Sequence, residues 1–360
     1  MFKIEPFDRD PLTGRQAEQL VQNLTRRGVM GGFAGLMGLA TAAMTLRNTA
    51  GATPLLLPDD LPEKTLRAAF SEQALQNSWP ARGAETAKML ADLLGVELVV
   101  YDGQNVPEKQ RQDMDDIATQ EWDFVAIHPA AINANVDPVN ALTGNGIPVI
   151  DMDTYLADDL STLDILTFLE PDNIYMGETM AKALFDAIGG EGEVIHTQGR
   201  LTHTGAQKRG QGFTNMLKNY PGITVVDETP GDWDRTKVAT LWQDLLVRYP
   251  DVKGGYFHND DMALAAAAIV EQAGKKEQVK LVGIDGMQDA CRAVQDGTLL
   301  ASVINPTGRI HGGAMWVGYL NATGSDKHEG GVPKFIRTDG GPITQDNAEG
   351  FVWLGDNLQV

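Results

Sequence analysis

The sequence predicts an α/β protein made of two similar halves, each a parallel sheet with helices on both faces. Strand-like and helix-like segments alternate along nearly the whole chain after a Pro-rich lead, "TPLLLPDDLPEK". The alternation restarts after "EPDN" without internal identity between the two arrays. A chain of 360 residues is long enough for two cores.

In the first array "TLRAAF" reads as a strand, and "ARGAETAKMLADLLG" has helical spacing with Gly95 as its stop. "VELVVYD" is the next strand, followed by the helix "PEKQRQDMDDIATQ" with Pro107 in its first turn. "WDFVAIHP" and "IPVIDMD" are strands on either side of the helix "NVDPVNALTGNG". The second array opens with the helix "YMGETMAKALFDAIGG" and the strand "GEVIHTQG", then the helix "GAQKRGQGFTNMLKNY" and the strand "TVVDET". It continues through the helix "TKVATLWQDLLVRY", the strand "VKGGYFHN", the helix "DMALAAAAIVEQAG" and the strand "VKLVGIDG". Strands joined by helices need crossover connections, and these produce parallel pairing.

Composition narrows the function. A net charge of −20 argues against a nucleic-acid partner, because phosphate binding needs clustered Lys and Arg. Hydrophobic content of 42% and charged content of 22% describe a soluble globular chain. The single Cys291 excludes an intramolecular disulfide and lies in a helical pattern, where a small buried apolar role is expected. Near the N-terminus, Thr25-Arg26-Arg27 precede a Gly-diluted apolar run that ends in small residues. That is the layout of a twin-arginine export signal over 1–52, with a linker over 53–62. A retained anchor is the alternative, since 19 residues from Gly28 to Leu46 could just span a bilayer. Five glycines in that run favour the signal.

Open α/β sheets bind ligands at the carboxyl ends of their strands. The residues expected there are Asn77, Trp79, Asp153, His203 and Arg209, followed by Trp233, Asn259, Asp285 and Asn305. Amides, carboxylates and a guanidinium beside flat indoles suit a polyhydroxylated ligand, whose hydroxyls need donors and acceptors and whose C–H faces pack on aromatic rings. Ser–His nucleophile pairs and Cys/His ligand pairs are missing from these positions, so no cofactor, no metal and no catalysis is expected. Asp151 and Asp153 share a strand face in "DMD", but two carboxylates alone make a poor cation site. Trp122, Trp242 and Trp316 fall in strand or helix patterns and read as core, whereas Trp79 and Trp233 read as strand-end loop residues. His128 and His311 read as structural. Asp260 reads as the N-cap of the helix "DMALAAAA", and "TGNG" as a turn.

At these residues the sequence resembles the pentose- and hexose-type periplasmic solute-binding proteins, the ribose- and galactose-binding family of ABC importers. The motifs carrying the resemblance include "DGQNVPEKQRQDMDDIATQEWDFVAIHP", "GIPVIDMD", "EPDNIYMG", "QKRGQGF" and "PGDWDRTKVATLWQDLLVRYPDVKGGYFHNDDMALAAAA". "VGIDGMQDACRAVQDGTLLASV" and "PITQDNAEG" follow, so the similarity runs from Thr65 to Leu354. The family implies a type I periplasmic-binding-protein fold, two Rossmann-like lobes joined by a three-strand hinge. Crossings would fall near Glu170–Asp172, Asn305–Thr307 and Thr338–Pro342, giving lobes of 63–171 plus 306–338 and of 172–305 plus 339–360. Carried over, Asn77 is a polar contact, Trp79 and Trp233 are opposing walls, and Arg209 holds hydroxyls. Asp153, Asn259, Asp285 and Asn305 fill the remaining hydrogen-bonding positions. Two departures weaken a ribose assignment: Asp153 is followed by Thr154 where ribose binders carry Arg, and Asn305 stands where they carry Gln. His203 falls where hexose binders place a ligand His.

The resemblance implies a monomeric, non-catalytic periplasmic receptor that captures a monosaccharide or sugar alcohol and delivers it to an ABC permease. A sensor feeding a chemotaxis receptor, or a lactose-repressor-type regulator lacking its DNA-binding domain, is the alternative. If the export signal is of the twin-arginine type, changing Arg26 and Arg27 together to Lys stops export. Periplasmic fractionation checks this, and unchanged export of the double variant would reassign the signal.

Overall fold

The computed structural model describes residues 65–325 and 331–358. The expected export signal and linker lie outside them. The first array runs β1 (Leu66–Glu72), α1 (Ser78–Leu94), β2 (Val96–Asp102), α2 (Pro107–Ile117), β3 (Phe124–Ile127), α3 (Val136–Gly144), β4 (Val149–Met152) and β5 (Thr167–Glu170). The second runs α4 (Asn173–Ala187), β6 (Glu191–Thr197), α5 (Thr204–Leu217), β7 (Gly222–Asp227), α6 (Arg235–Arg248), β8 (Gly254–Phe257), α7 (Asp260–Gln272) and β9 (Lys280–Val282). Then come α8 (Gln288–Gln295), β10 (Ser302–Val303), α9 (Thr307–Thr323), β11 (Phe335–Arg337), β12 (Pro342–Ile343) and α10 (Ala348–Leu358).

Two parallel sheets result. One has the order β11-β5-β4-β3-β1-β2 and the other β7-β6-β8-β9. Antiparallel β10 and β12 form a small ribbon, tied to the β9 side by bridges from Val282 to Ala301 and from Asp285 to Ile304. Between β5 and α4 the chain leaves the first sheet; it returns between β10 and α9 and leaves again between β11 and β12.

The central strands bury both faces, as a parallel sheet under two helical layers requires, while the edge strands β2, β7 and β11 are partly exposed. In β3, Phe124 and Ala126 face the core shared with α1 and α9, while Val125 and Ile127 face the one shared with α2 and α3. In β8, Tyr256 and Phe257 are both fully buried and divide between the two cores of the second sheet in the same way. Local chemistry sets the ends: Gly95 closes α1 in the left-handed conformation with φ 69°, and Pro107 opens α2. The Asp172 and Asp234 side chains accept from the first-turn N–H groups of α4 and α6.

Two local expectations change. Asn259, not Asp260, caps α7: its Oδ1 accepts from Met262 N at 3.0 Å. Asp260 is the first helical residue, and its carboxylate accepts from Met287 N (2.8 Å) and Ser302 Oγ (2.7 Å). Trp79 lies in the first turn of α1 rather than in a loop.

Trp242 is fully buried, donates to Thr197 Oγ1 at 3.0 Å and packs on Phe257. Its replacement by Ala removes a large core group and should cost about 3–5 kcal/mol. Urea unfolding checks this against Trp316→Ala, whose half-buried indole should cost clearly less; equal losses would contradict the packing.

Candidate functional site

The carboxyl ends of the strands in both sheets face one another, and the side chains there enclose a cavity. The first sheet and the start of α1 contribute Gln73, Asn77, Trp79, Pro80, His128 and Asp153. From the other side come His203, Arg209, Trp233, Asn259, Asp285 and Asn305. All nine residues expected at strand ends therefore meet in one place. Gln73, Pro80 and His128 were not expected. About 30 Å³ is open to the centre of a water molecule, more than a single water needs. A wider chamber of about 390 Å³ lies alongside and shares the Asp285 and Asn305 walls.

A buried row of charge forms the floor. Glu72, at the end of β1 and wholly buried, meets His128 Nδ1 at 3.3 Å and His311 Nε2 at 3.0 Å. On its other side, His128 Nε2 faces Asp153 Oδ2 at 3.6 Å, an ion-pair distance rather than a hydrogen bond. Asp153 Oδ1 accepts from Asn305 Nδ2 at 2.9 Å. Burial works against a charge on His128, but Asp153 and Glu72 outweigh it and raise its pKa to about 9. Burial likewise pushes Asp153 up, and His128 overcomes it to hold the carboxyl below its ordinary range. Trp79 sits edge-on to both His128 and His311, and its Nε1 donates to Asn305 O at 3.0 Å.

Arg209 dominates the opposite wall. Its Nε donates to Asn173 Oδ1 (2.9 Å), and its Nη1 donates to His258 O (2.5 Å) and Asp285 Oδ1 (3.2 Å). Burial raises the Asp285 pKa well above its usual value, against the pull of Arg209. Trp233 stands beside Arg209 and edge-on to His203, and a Cβ on Gly199 would strike its indole. Burial drives His203 down to about 3, so it is neutral. Asp153, Trp233 and Asp285 have φ of 63°, 64° and 127°, a strained choice for non-glycine residues and most of all for Trp. The turn at Asp153 also breaks the strand alternation: Asp151 accepts from Leu156 N, while Asp153 enters the cavity.

His258, given no role from sequence, is the middle of a relay. Its Nδ1 accepts from Gly199 N (3.0 Å), so its Nε2 carries the proton and donates to His196 Nε2 at 2.8 Å. His196 Nδ1 then donates to Glu228 Oε1 at 3.0 Å. Burial lowers the pKa of both rings.

Among the described residues, several buried polar atoms around the cavity have no hydrogen-bond partner: Gln73 Oε1, both nitrogens of His203, Trp233 Nε1 and Asn305 Oδ1. Each such group costs about 1–3 kcal/mol if left unsatisfied, so the site is built to receive hydrogen bonds. His128, Asp153 and His203 could in principle hold a metal, since one ligand atom from each lies within 4.8 Å of the others. A cation there would have to displace the His128 proton and tolerate Arg209 nearby, which favours a neutral hydroxylated ligand. In the sequence His128, ahead of Pro129, looks structural, yet the fold places it in the cavity wall. Its position directly after β3 was the signal that could have placed it here.

Fold and site together define a periplasmic binding protein: a family profile described as "Periplasmic binding protein domain" matches residues 69–326, and the chain belongs to that family. A ribose import binding protein of Salmonella typhimurium is 33% identical over 217 residues, 60% of this chain and 71% of its own length. The D-allose-binding periplasmic protein of Escherichia coli is 30% identical over 219 residues, 59% of this chain and 70% of its own. Among solved structures, an ABC transporter solute-binding protein of Mycobacterium smegmatis with bound glycerol superposes with a TM-score of 0.72. It is 29% identical and covers 79% of this chain and 96% of its own.

The titrations have opposite signs on the two sides of neutrality. His128 is raised, so its contribution is complete below its unfolded pKa near 6.5 and is lost as pH climbs through about 9. His196, His203 and His258 are lowered, so theirs is complete above 6.5 and is lost as pH falls. Tm should therefore peak near neutral pH. The alkaline limb should flatten in His128→Gln while the acid limb remains; a persistent alkaline limb in that variant would contradict the His128 ion pairs.

Proposed function

We propose that the chain is a periplasmic receptor that captures one monosaccharide or sugar alcohol between two lobes and delivers it to the membrane subunits of an ABC transporter. One observation carries this reading: unpartnered polar atoms and two indoles surround one cavity between the ends of the two sheets. Hydroxyls supply both donor and acceptor to such atoms, and the C–H faces of a sugar fit the Trp79 and Trp233 surfaces. Relatives named for ribose and D-allose support the ligand class.

Membership of the two sheets supports lobes of 63–171 plus 306–338 and of 172–305 plus 339–360. Ligand held by Asp153 on one side and by Arg209 on the other stabilises the closed arrangement over an open one, which is how binding is signalled to the transporter. The cavity carboxylates are engaged by His128, Asn305 and Arg209 rather than free to act as a nucleophile or base, which supports binding over turnover. Among the described residues no helix is long and apolar enough to cross a membrane. Relatives named as import binding proteins support delivery to separate membrane subunits, and the receptor is taken to act as a monomer.

A thermal-shift screen over pentoses, hexoses and alditols tests the reading. At a hundredfold excess over Kd, binding adds about 2.7 kcal/mol and raises Tm. Trp233→Ala and Asp285→Ala should each abolish the shift with the circular dichroism unchanged. Retained binding in both would overturn the site assignment.

A further inference from the structure

Around the rim of the cavity, three loops are tied together by residues that do not line it. Arg200, between β6 and α5, reaches across to Asn105, between β2 and α2. Its Nη2 donates to both Asn105 O (2.5 Å) and Asn105 Oδ1 (2.8 Å). Asn105 Nδ2 in turn donates to Asp232 O at 3.0 Å, one residue before Trp233. The Asn105 backbone is held in place from its own side, where its N–H donates to Gln73 O at 2.7 Å. Gln104 and Asn105 have φ of 54° and 60°, and Asp232 and Trp233 have 54° and 64°, so a left-handed turn meets a left-handed turn. Asn tolerates that conformation better than other side chains, and here it frees both its amide and its carbonyl to face the other loops.

We infer that Arg200 and Asn105 form a latch that stabilises the closed state without touching the ligand. Its donors and acceptors come from elements on opposite sides of the cavity, so it exists only when those elements are together. On opening, each group returns to water. The charged donor makes two hydrogen bonds with one residue, and such bonds are the stronger kind. Half-burial of all three residues limits water's competition for them. The latch is coupled to the site through neighbours: Gln73 and Trp233, which flank its two ends, line the cavity, and His203 follows Arg200 by three residues. If the molecule is the closing sugar receptor proposed above, the latch sets how long a captured sugar stays. Arg200 and Asn105 are positioning residues in that reading.

Closure can be followed without knowing the ligand. Cys291 is buried, so cysteines introduced at the exposed Lys88 and Gln243 can carry a fluorophore pair, one on each side of the cleft. The closed-to-open ratio is read by single-molecule energy transfer in buffer, in D-ribose and in xylitol. Arg200→Ala should lower that ratio about tenfold, the worth of one charge-assisted contact. Asn105→Gly keeps the turn and should lower it by a similar factor. The double variant should lose more than either single one but less than their sum, because the two changes share only the Arg200–Asn105 side-chain bond, while Asn105→Gly spares the backbone carbonyl and Arg200→Ala spares the bond to Asp232. Arg200→Lys, which keeps the charge but loses the fork, should fall between. Equal closed fractions in wild type and Arg200→Ala under every condition, or additive losses in the double variant, would overturn the latch. A latch effect in buffer, with no response of any form to any sugar in the screen, would instead sink the receptor reading and leave the latch standing.

Discussion

A carboxylate with no access to water has to be answered by nearby positive charge or protons, and Glu72 is such a group. It sits at the end of a central strand of the first sheet, and two imidazoles converge on it. His128 carries the consequence outward to Asp153, and His311 carries it to the start of α9 through Thr307. Thr307 Oγ1 also donates to Trp79 O, so the beginnings of α1 and α9 are joined beside the same charge. Removing one partner of such a buried arrangement leaves the other uncompensated, which commonly costs about 3–5 kcal/mol. The cavity floor is rigid because the electrostatics beneath it admit one arrangement.

The opposite wall follows a different principle. Arg209 is committed to Asn173, to the His258 carbonyl and to Asp285, so its guanidinium is oriented before any ligand arrives. The His258–His196–Glu228 relay holds the loop at Gly199, and that loop supports the Trp233 ring. One side of the cavity is thus fixed by a chain of paired charges, and the other by the Arg209 guanidinium together with neutral rings whose burial keeps them neutral. Ordering these groups in advance lowers the entropic cost of binding.

Much of this was legible in the sequence because the relevant signal is local. Alternating helix and strand patterns place the strand ends, and the sheet rule turns nine strand-end residues into one candidate cluster, which the folded chain brings together. What sequence could not resolve depends on one-residue offsets or on distant partners. Asn259 and Asp260 are both good N-caps, and only backbone geometry decides between them. Trp79 falls inside a helix because the first turn of α1 begins before the apolar spacing does. His128 looks ordinary until Glu72, from a neighbouring strand, is placed against it. Asn105 and Arg200 lie in aperiodic loops 95 positions apart, and no pattern along the chain could pair them.

The backbone at Asp153, Trp233 and Asp285 bears on how such a protein can change over time. At each of these positions glycine would relax the chain, by about 1–2 kcal/mol for a residue like Trp held in the left-handed region. In the folded chain that strain is offset by the buried Trp233 ring and by the pairing of Asp153 and Asp285, so the side chains hold turns that the backbone alone would not choose. Side chains kept there despite the backbone cost mark what the molecule is maintained to do.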